Sequence, residues 1–271
     1  MKSLKNNHKL GIVLSVIGIL AGFLAMVLIA KIYIPVVEGK IVQGRPDEAI
    51  TVRIVYALMG WIGMTGGAIW GVSLYGFIKE KDWAWKLGVG ASTMQILSGF
   101  FPMIPAGSIN MFSPTLWVIL IAFALWFGMM WIGGVKGKII TLAFFTGMAY
   151  VMTFIDGVGS ISRYQTVKLP FTIGMYTMGQ MVCWLAAAAW VVFIVYLASG
   201  NPRTITTGIL AAGLSIYGGL PVGITDVARL GRFSMFLPGP ILSAVILVVI
   251  LLPGPNKMIT DWIVERQSAV K

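Results

Sequence analysis

Three charged residues lie close together in the last quarter of the chain. Asp226, Arg229 and Arg232 are spaced three and three, so on a helix they share one face. An arginine can grip a carboxylate through two parallel N–H···O bonds. The same guanidinium groups suit an anion, a lipid headgroup or a partner's carboxylate. The competing use is structural, an ion pair that ties off a helix end at the membrane surface. All three belong to the stretch Tyr217–Pro240, where Gly218, Gly219 and Pro221 predict a break in an apolar helix.

A second set is polar rather than charged. Thr146, Tyr150, Thr153 and Asp156 recur at steps of four, three and three, which draws one stripe along a helix ending near Arg163. Such a stripe lines a small-molecule cavity or makes interhelical hydrogen bonds. Gln95 and Gln180 each sit in an apolar run. An unpaired amide in hydrocarbon costs several kcal/mol, so each needs the other, the stripe, a ligand or a neighbouring helix. The candidate ligand-binding residues are therefore Gln95, Tyr150, Thr153, Asp156, Gln180, Asp226, Arg229 and Arg232.

No residues form a recognisable catalytic set. The chain has no nucleophile beside a base, no phosphate-binding loop and no dinucleotide fingerprint. His8 is the only histidine and Cys183 the only cysteine. That excludes bis-histidine haem, histidine-built metal sites and an intrachain disulfide. No cofactor is expected, although lipid or quinone could lie between helices. The formal charge of +11 comes from short basic turns between apolar runs, not from a basic domain. Nucleic acid is not an expected partner.

The elements that must position these residues are membrane spans. Hydrophobic residues make up 58% of the chain and charged residues 11%, with a mean hydropathy of +0.90. A soluble domain carries about 25% charge, so the chain reads as an all-α, multi-pass integral membrane protein. Roughly 20 apolar residues cross a bilayer. On that ruler the spans are Leu10–Ile32, Ile54–Ile78, Leu87–Met111, Pro114–Gly134, Ile139–Ile155, Leu169–Gly200, one from Pro202, and one from Pro240 to Pro253. The first apolar run is too long for a signal peptide. Asp156-Gly157 is read as the end of the fifth span, which leaves no charge in the middle of any span. A polar loop is expected over Pro35–Arg53. In the tail 256–271, Met258, Ile259, Trp262 and Ile263 mark one side of a short cytoplasmic or interfacial helix.

Eight spans with both termini in the cytoplasm place Lys2, Lys5, Lys9, Lys79, Lys81, Lys86, Lys136, Lys138, Arg203, Lys257, Arg266 and Lys271 inside. That satisfies the positive-inside rule and suits a prokaryotic cytoplasmic membrane. A shift of 119 residues aligns Gly99–Pro102 with Gly218–Pro221 and Met59-Gly60 with Met178-Gly179. The alignment suggests two parallel four-helix halves, 1–135 and 136–255, built of four helical hairpins.

Two functions fit these observations. The first is a non-catalytic subunit that anchors or completes a larger membrane complex, holding lipid or quinone between its helices. Its partners would be membrane lipids and other membrane subunits or further copies of itself. The absence of mid-span charge motivates it. The alternative is a small permease for a neutral or anionic solute, motivated by the two aligned helix breaks. An enzyme acting on a lipid or quinone through Asp156 or Asp226 is a weaker third.

Overall fold

The computed structural model describes residues 6–268 and is helical throughout, with no strand among them. It divides into two compact units, Met1–Val135 and Lys136–Lys271.

The first unit holds α1 (His8–Val42), α2 (Pro46–Ile78), α3 (Ala84–Phe100), α4 (Met103–Gly107) and α5 (Leu116–Ile132). Successive long helices pack on one another, and α1 closes the bundle against α5. Small residues set the spacing. Gly11, Ser15, Gly18, Gly22 and Ala25 form the buried edge of α1. A Cβ on Gly22 would stand 2.9 Å from the Gly67 Cα, so α1 and α2 touch backbone to backbone. Pro46 opens α2, with Asp47 and Glu48 in its first turn. That is the start proline and acidic residues favour.

The second unit holds α6 (Gly137–Thr166), α7 (Pro170–Ser199), α8 (Thr204–Leu230), α9 (Pro238–Leu251) and α10 (Pro253–Ser268). Again each long helix packs on the next, and α6 closes against α9. Of the long helices, α6 and α8 alone segregate polar from apolar residues sharply. Their polar faces turn inward, which inverts the pattern of a soluble helix.

Several sequence-based boundaries are corrected. The expected polar loop over Pro35–Arg53 is mostly helix: α1 continues through Pro35 to Val42, and only Gln43–Arg45 connects it to α2. Lys40, 3% exposed, is neutralised there by Glu48 at 2.6 Å. α6 does not end at Asp156-Gly157 but runs ten residues further, to Thr166. α8 does not break at Gly218–Pro221; it runs through Pro221 and ends at Gly231, whose φ of +64° makes a left-handed cap. One missing N–H at Pro221 is tolerated because both sides of α8 are held by α7 and α9. The first unit does break at the aligned position, between Phe100 and Met103. The two Gly-x-x-Pro segments are thus not one shared device.

Among the described residues, six helical segments are long and apolar enough to cross a membrane, with α3 and α4 counted as one. A seventh is added if α9 and α10, bent by 71° at Leu252, form one span. α5 is apolar but only 17 residues long. Length and composition make this an all-α multi-pass membrane protein with six or seven such helices, not an established eight.

The tail is helical as α10, and its apolar side is covered by the protein. Ile259, Trp262 and Ile263 are buried. The Trp262 indole donates to the Leu197 carbonyl at 2.8 Å, while the Arg266 guanidinium stacks 4.4 Å from the Trp262 ring.

Candidate functional site in the second unit

α6 places Thr146, Tyr150, Thr153, Asp156 and Ser160 on one buried face. The stripe expected to stop at Asp156 therefore continues by two turns to Arg163. Thr146 only hydrogen-bonds back to Leu142 of its own helix, a common use of threonine in membrane helices. From Thr153 onward the stripe meets α8 and α9.

Two layers are built there, one helical turn apart. In the first, Thr153 of α6, Ser215 of α8 and Ser243 of α9 join hydroxyl to hydroxyl. Thr153 Oγ1 and Ser215 Oγ are 2.7 Å apart, and Ser243 Oγ donates to Ser215 Oγ at 2.7 Å. All three residues are fully buried. In the second layer, Asp156 of α6 faces Gly219 of α8 and Gly239 of α9. A Cβ on Gly239 would fall 2.2 Å from Asp156 Oδ2, and one on Gly219 would fall 3.2 Å away. Each layer takes its residues one turn apart on the same three helices: 153 and 156, 215 and 219, 239 and 243. Glycine is required at 239 because the carboxyl occupies the space of a side chain, and a side chain at 219 would crowd Pro240 and the carboxyl.

Asp156 is 1% exposed, and its Oδ2 has no hydrogen-bond partner among the described residues. No ion pair neutralises it there either. A lone buried carboxyl is costly, and in a membrane protein it marks a functional position by default. Gly239 lies in the first turn of α9. The positive end of that helix therefore points toward the carboxyl. On α7, Cys183 is buried with its sulfur 3.0 Å from where a Gly218 Cβ would be. Its thiol borders the same layer.

A second cluster lies two turns along α6. Arg163 Nε is 3.0 Å from Asp226 Oδ1, and Ser234 donates to Asp226 Oδ2 at 2.9 Å. Ser234 also accepts from the Phe236 N–H at 3.1 Å, which fixes the turn between α8 and α9. The Arg163 guanidinium stands 5.7 Å from the Phe236 ring. Phe236 packs in turn with Tyr176 and Val222. Asp226 is 2% and Arg163 29% exposed at the side chain.

The eight candidates are therefore dispersed. Thr153 and Asp156 join one site. Asp226 is buried and paired with Arg163, not with Arg229 or Arg232, which are exposed and outside any ion pair among the described residues. The predicted shared face fails because α8 ends at Leu230: Arg229 sits exposed in its last turn, and Arg232 lies beyond the left-handed Gly231 cap, outside the helix. Gln95 belongs to the first unit and is fully used there. It accepts from the Trp70 indole at 3.0 Å and donates to the Gly18 carbonyl at 2.8 Å, fastening α3 to both α2 and α1. Gln180 is buried in the second unit beside Gly157. Tyr150 is buried on the stripe, one turn before Thr153.

Sequence reasoning missed Ser215, Ser243, Gly219, Gly239 and Ser234. The spacing of 215 to 219 and 239 to 243 is a helical turn in each case, but serines and glycines are frequent in membrane helices and carry no signal alone. Their partnership with α6 arises only from packing.

The unsatisfied polar atoms are unevenly spread. In the first unit the buried hydroxyls of Ser73, Ser98, Thr115 and Tyr56 each donate or share a hydrogen bond. In the second, Asp156 Oδ2, Gln165 Oε1, Trp184 Nε1 and Trp190 Nε1 are buried without one among the described residues. Buried polar groups without partners are rare enough to need an explanation. Among the described residues the first unit contributes His8 Nδ1 to this set, and the second unit holds the rest of the unmet hydrogen-bonding capacity. No protein-family model, curated protein or solved structure matches the chain.

Proposed function

We propose that this membrane protein is a small permease for a neutral or anionic solute, with the interior of its second unit as the working site. One observation carries the reading: Asp156 lies inside α6, buried, with an oxygen that no described residue satisfies. The premise for a purely structural subunit was that no span holds a charge away from its ends. The length of α6 removes that premise. Intramembrane carboxyls serve ion and substrate pathways in transporters. The like connectivity of the two units, four long helices in sequence with the first closing on the last, fits a parallel internal repeat of the kind transporters use.

The test is uptake by the purified protein in liposomes. A panel of labelled polyols, sugars and small carboxylates would be offered to wild type and Asp156→Asn. At least one solute should enter, and the substitution should cut its initial rate at least tenfold. Absence of uptake across the panel by correctly folded protein would reject the permease.

A second reading is favoured by a different observation. A groove of ≈ 290 Å³ crosses the α1–α2 face, lined by Ile19, Gly22, Phe23, Met64, Gly67 and Ala68. Its apolar lining suits an acyl or isoprenoid chain, as expected of a complex subunit holding lipid or quinone. Mass spectrometry after extraction in mild detergent decides it: stoichiometric partner chains with a bound lipid or quinone support the subunit, and a bare chain rejects it.

A further inference from the structure

The two layers have a chemistry that a single acid would not need. Three helices each bring one hydroxyl to the same level, and the three oxygens form a chain with 2.7 Å steps. One turn away, on the same three helices, lies a carboxyl whose Oδ2 is unpartnered. The nearest cation along α6, Arg163, is already paired with Asp226. No described cation neutralises Asp156, so a carboxyl this buried is neutral only when it holds a proton or a bound cation. We propose that Asp156, Thr153, Ser215 and Ser243 form a binding site for a sodium ion.

The donor set matches that ion. Hard cations take oxygen ligands. One carboxylate cancels one positive charge, and neutral hydroxyls complete the shell without adding charge. A divalent ion would be left with a net positive charge in a low-dielectric interior, which is costly. The described residues hold no group of three His, Cys, Asp or Glu that could bind one. A proton alone would need only the carboxyl and gives no reason for the three gathered hydroxyls. Serine and threonine also bond helices together in ordinary bundles, but that use leaves Asp156 unexplained. Gly219 and Gly239 make room for the carboxyl: a side chain at 239 would displace it, and one at 219 would crowd it.

The site stands on this geometry. Its role as coupling site rests on the permease reading. Four protein oxygens leave coordination open for one from the solute, which would tie solute binding to sodium binding.

Thermal unfolding of the full chain in detergent provides the test, with NaCl exchanged for KCl or choline chloride at constant ionic strength and at two pH values. A ligand that binds only the folded state raises the midpoint as its concentration passes Kd. A saturable rise specific to sodium is expected. Ser215→Ala should weaken apparent sodium affinity at least tenfold. Ser15→Ala, a buried hydroxyl on α1 of the other unit, should not change it. Calorimetric titration with NaCl should give one site per chain, absent in Asp156→Asn. An equal rise in potassium or choline, a midpoint that follows pH and ignores sodium, or full sodium affinity in Ser215→Ala would overturn the site. Asp156-dependent uptake that is indifferent to sodium removes the site and leaves the permease. Sodium binding without uptake does the reverse.

Discussion

Arg163 Nε lies 3.0 Å from Asp226 Oδ1, joining the C-terminal turns of α6 and α8 in the second unit. The pair forms because α6 runs past Asp156 and carries Arg163 to the level of Asp226. Asp226 is nearly inaccessible, so its charge depends on this arginine and on Ser234. Removing one partner of a buried pair leaves an uncompensated charge and costs about 3–5 kcal/mol.

Arg163→Gln should therefore strongly lower the unfolding midpoint. The double variant Arg163→Gln with Asp226→Asn should recover part of the loss, since no charge is stranded. Arg229→Gln and Arg232→Gln, both at exposed positions, should leave the midpoint unchanged. Equal effects at all three arginines would mean that the cluster acts as a diffuse surface charge.

Gly239 and Gly219 test the fit around Asp156. Gly239→Ala puts a methyl 2.2 Å from the carboxylate oxygen, deep among three helices. Overpacking of this kind costs about 1–3 kcal/mol. Gly219→Ala, with 3.0 Å to Pro240 and 3.2 Å to Asp156, should cost less. Gly213→Ala meets nothing within 4 Å on the same helix and should be neutral or slightly stabilising, because alanine favours helix. Thermal midpoints of the three variants give the ranking.

Gln95 and Gln180 should behave oppositely. Gln95→Leu strands the Trp70 indole and removes the tie to Gly18. Each buried group left unpaired costs about 1–3 kcal/mol, so the first unit should lose stability, with a shift in tryptophan fluorescence. Gln180→Leu breaks no hydrogen bond among the described residues and should leave the midpoint nearly unchanged. A large loss at Gln180 would assign it the packing role that Gln95 has.

Trp262 anchors α10. Trp262→Ala removes the indole bond to Leu197 and the ring beneath Arg266. Loss of a large buried aromatic costs about 3–5 kcal/mol in a core, more than a terminal helix of 16 residues can spare. Hydrogen exchange should show α10 opening while α6 to α9 stay protected.

Composition and run length alone determined that this chain is a helical, multi-pass membrane protein, because an apolar chain of this kind can satisfy its backbone in lipid only as helix. Prolines stand in the first turns of α2, α7 and α9, a local preference that sequence carries. The sequence drew the stripe from Thr146 to Asp156, since that is a matter of periodicity on one helix. The helix ends were a different matter. Asp156-Gly157 and Gly218–Pro221 have the local chemistry of breaks, yet both lie inside continuous helices. Neighbouring helices there offset the local cost. The inward polar faces of α6 and α8 were latent in the sequence as amphipathicity, but only once the full helix lengths were known. Which polar groups met was decided by tertiary packing alone. Ser215, Ser243, Gly219 and Gly239 reach Asp156 and Thr153 from chain positions up to ninety residues away, and Asp226 chose Arg163 over two nearer arginines. Contacts at that separation depend on how α6, α8 and α9 are rotated against one another, and local spacing does not encode that rotation.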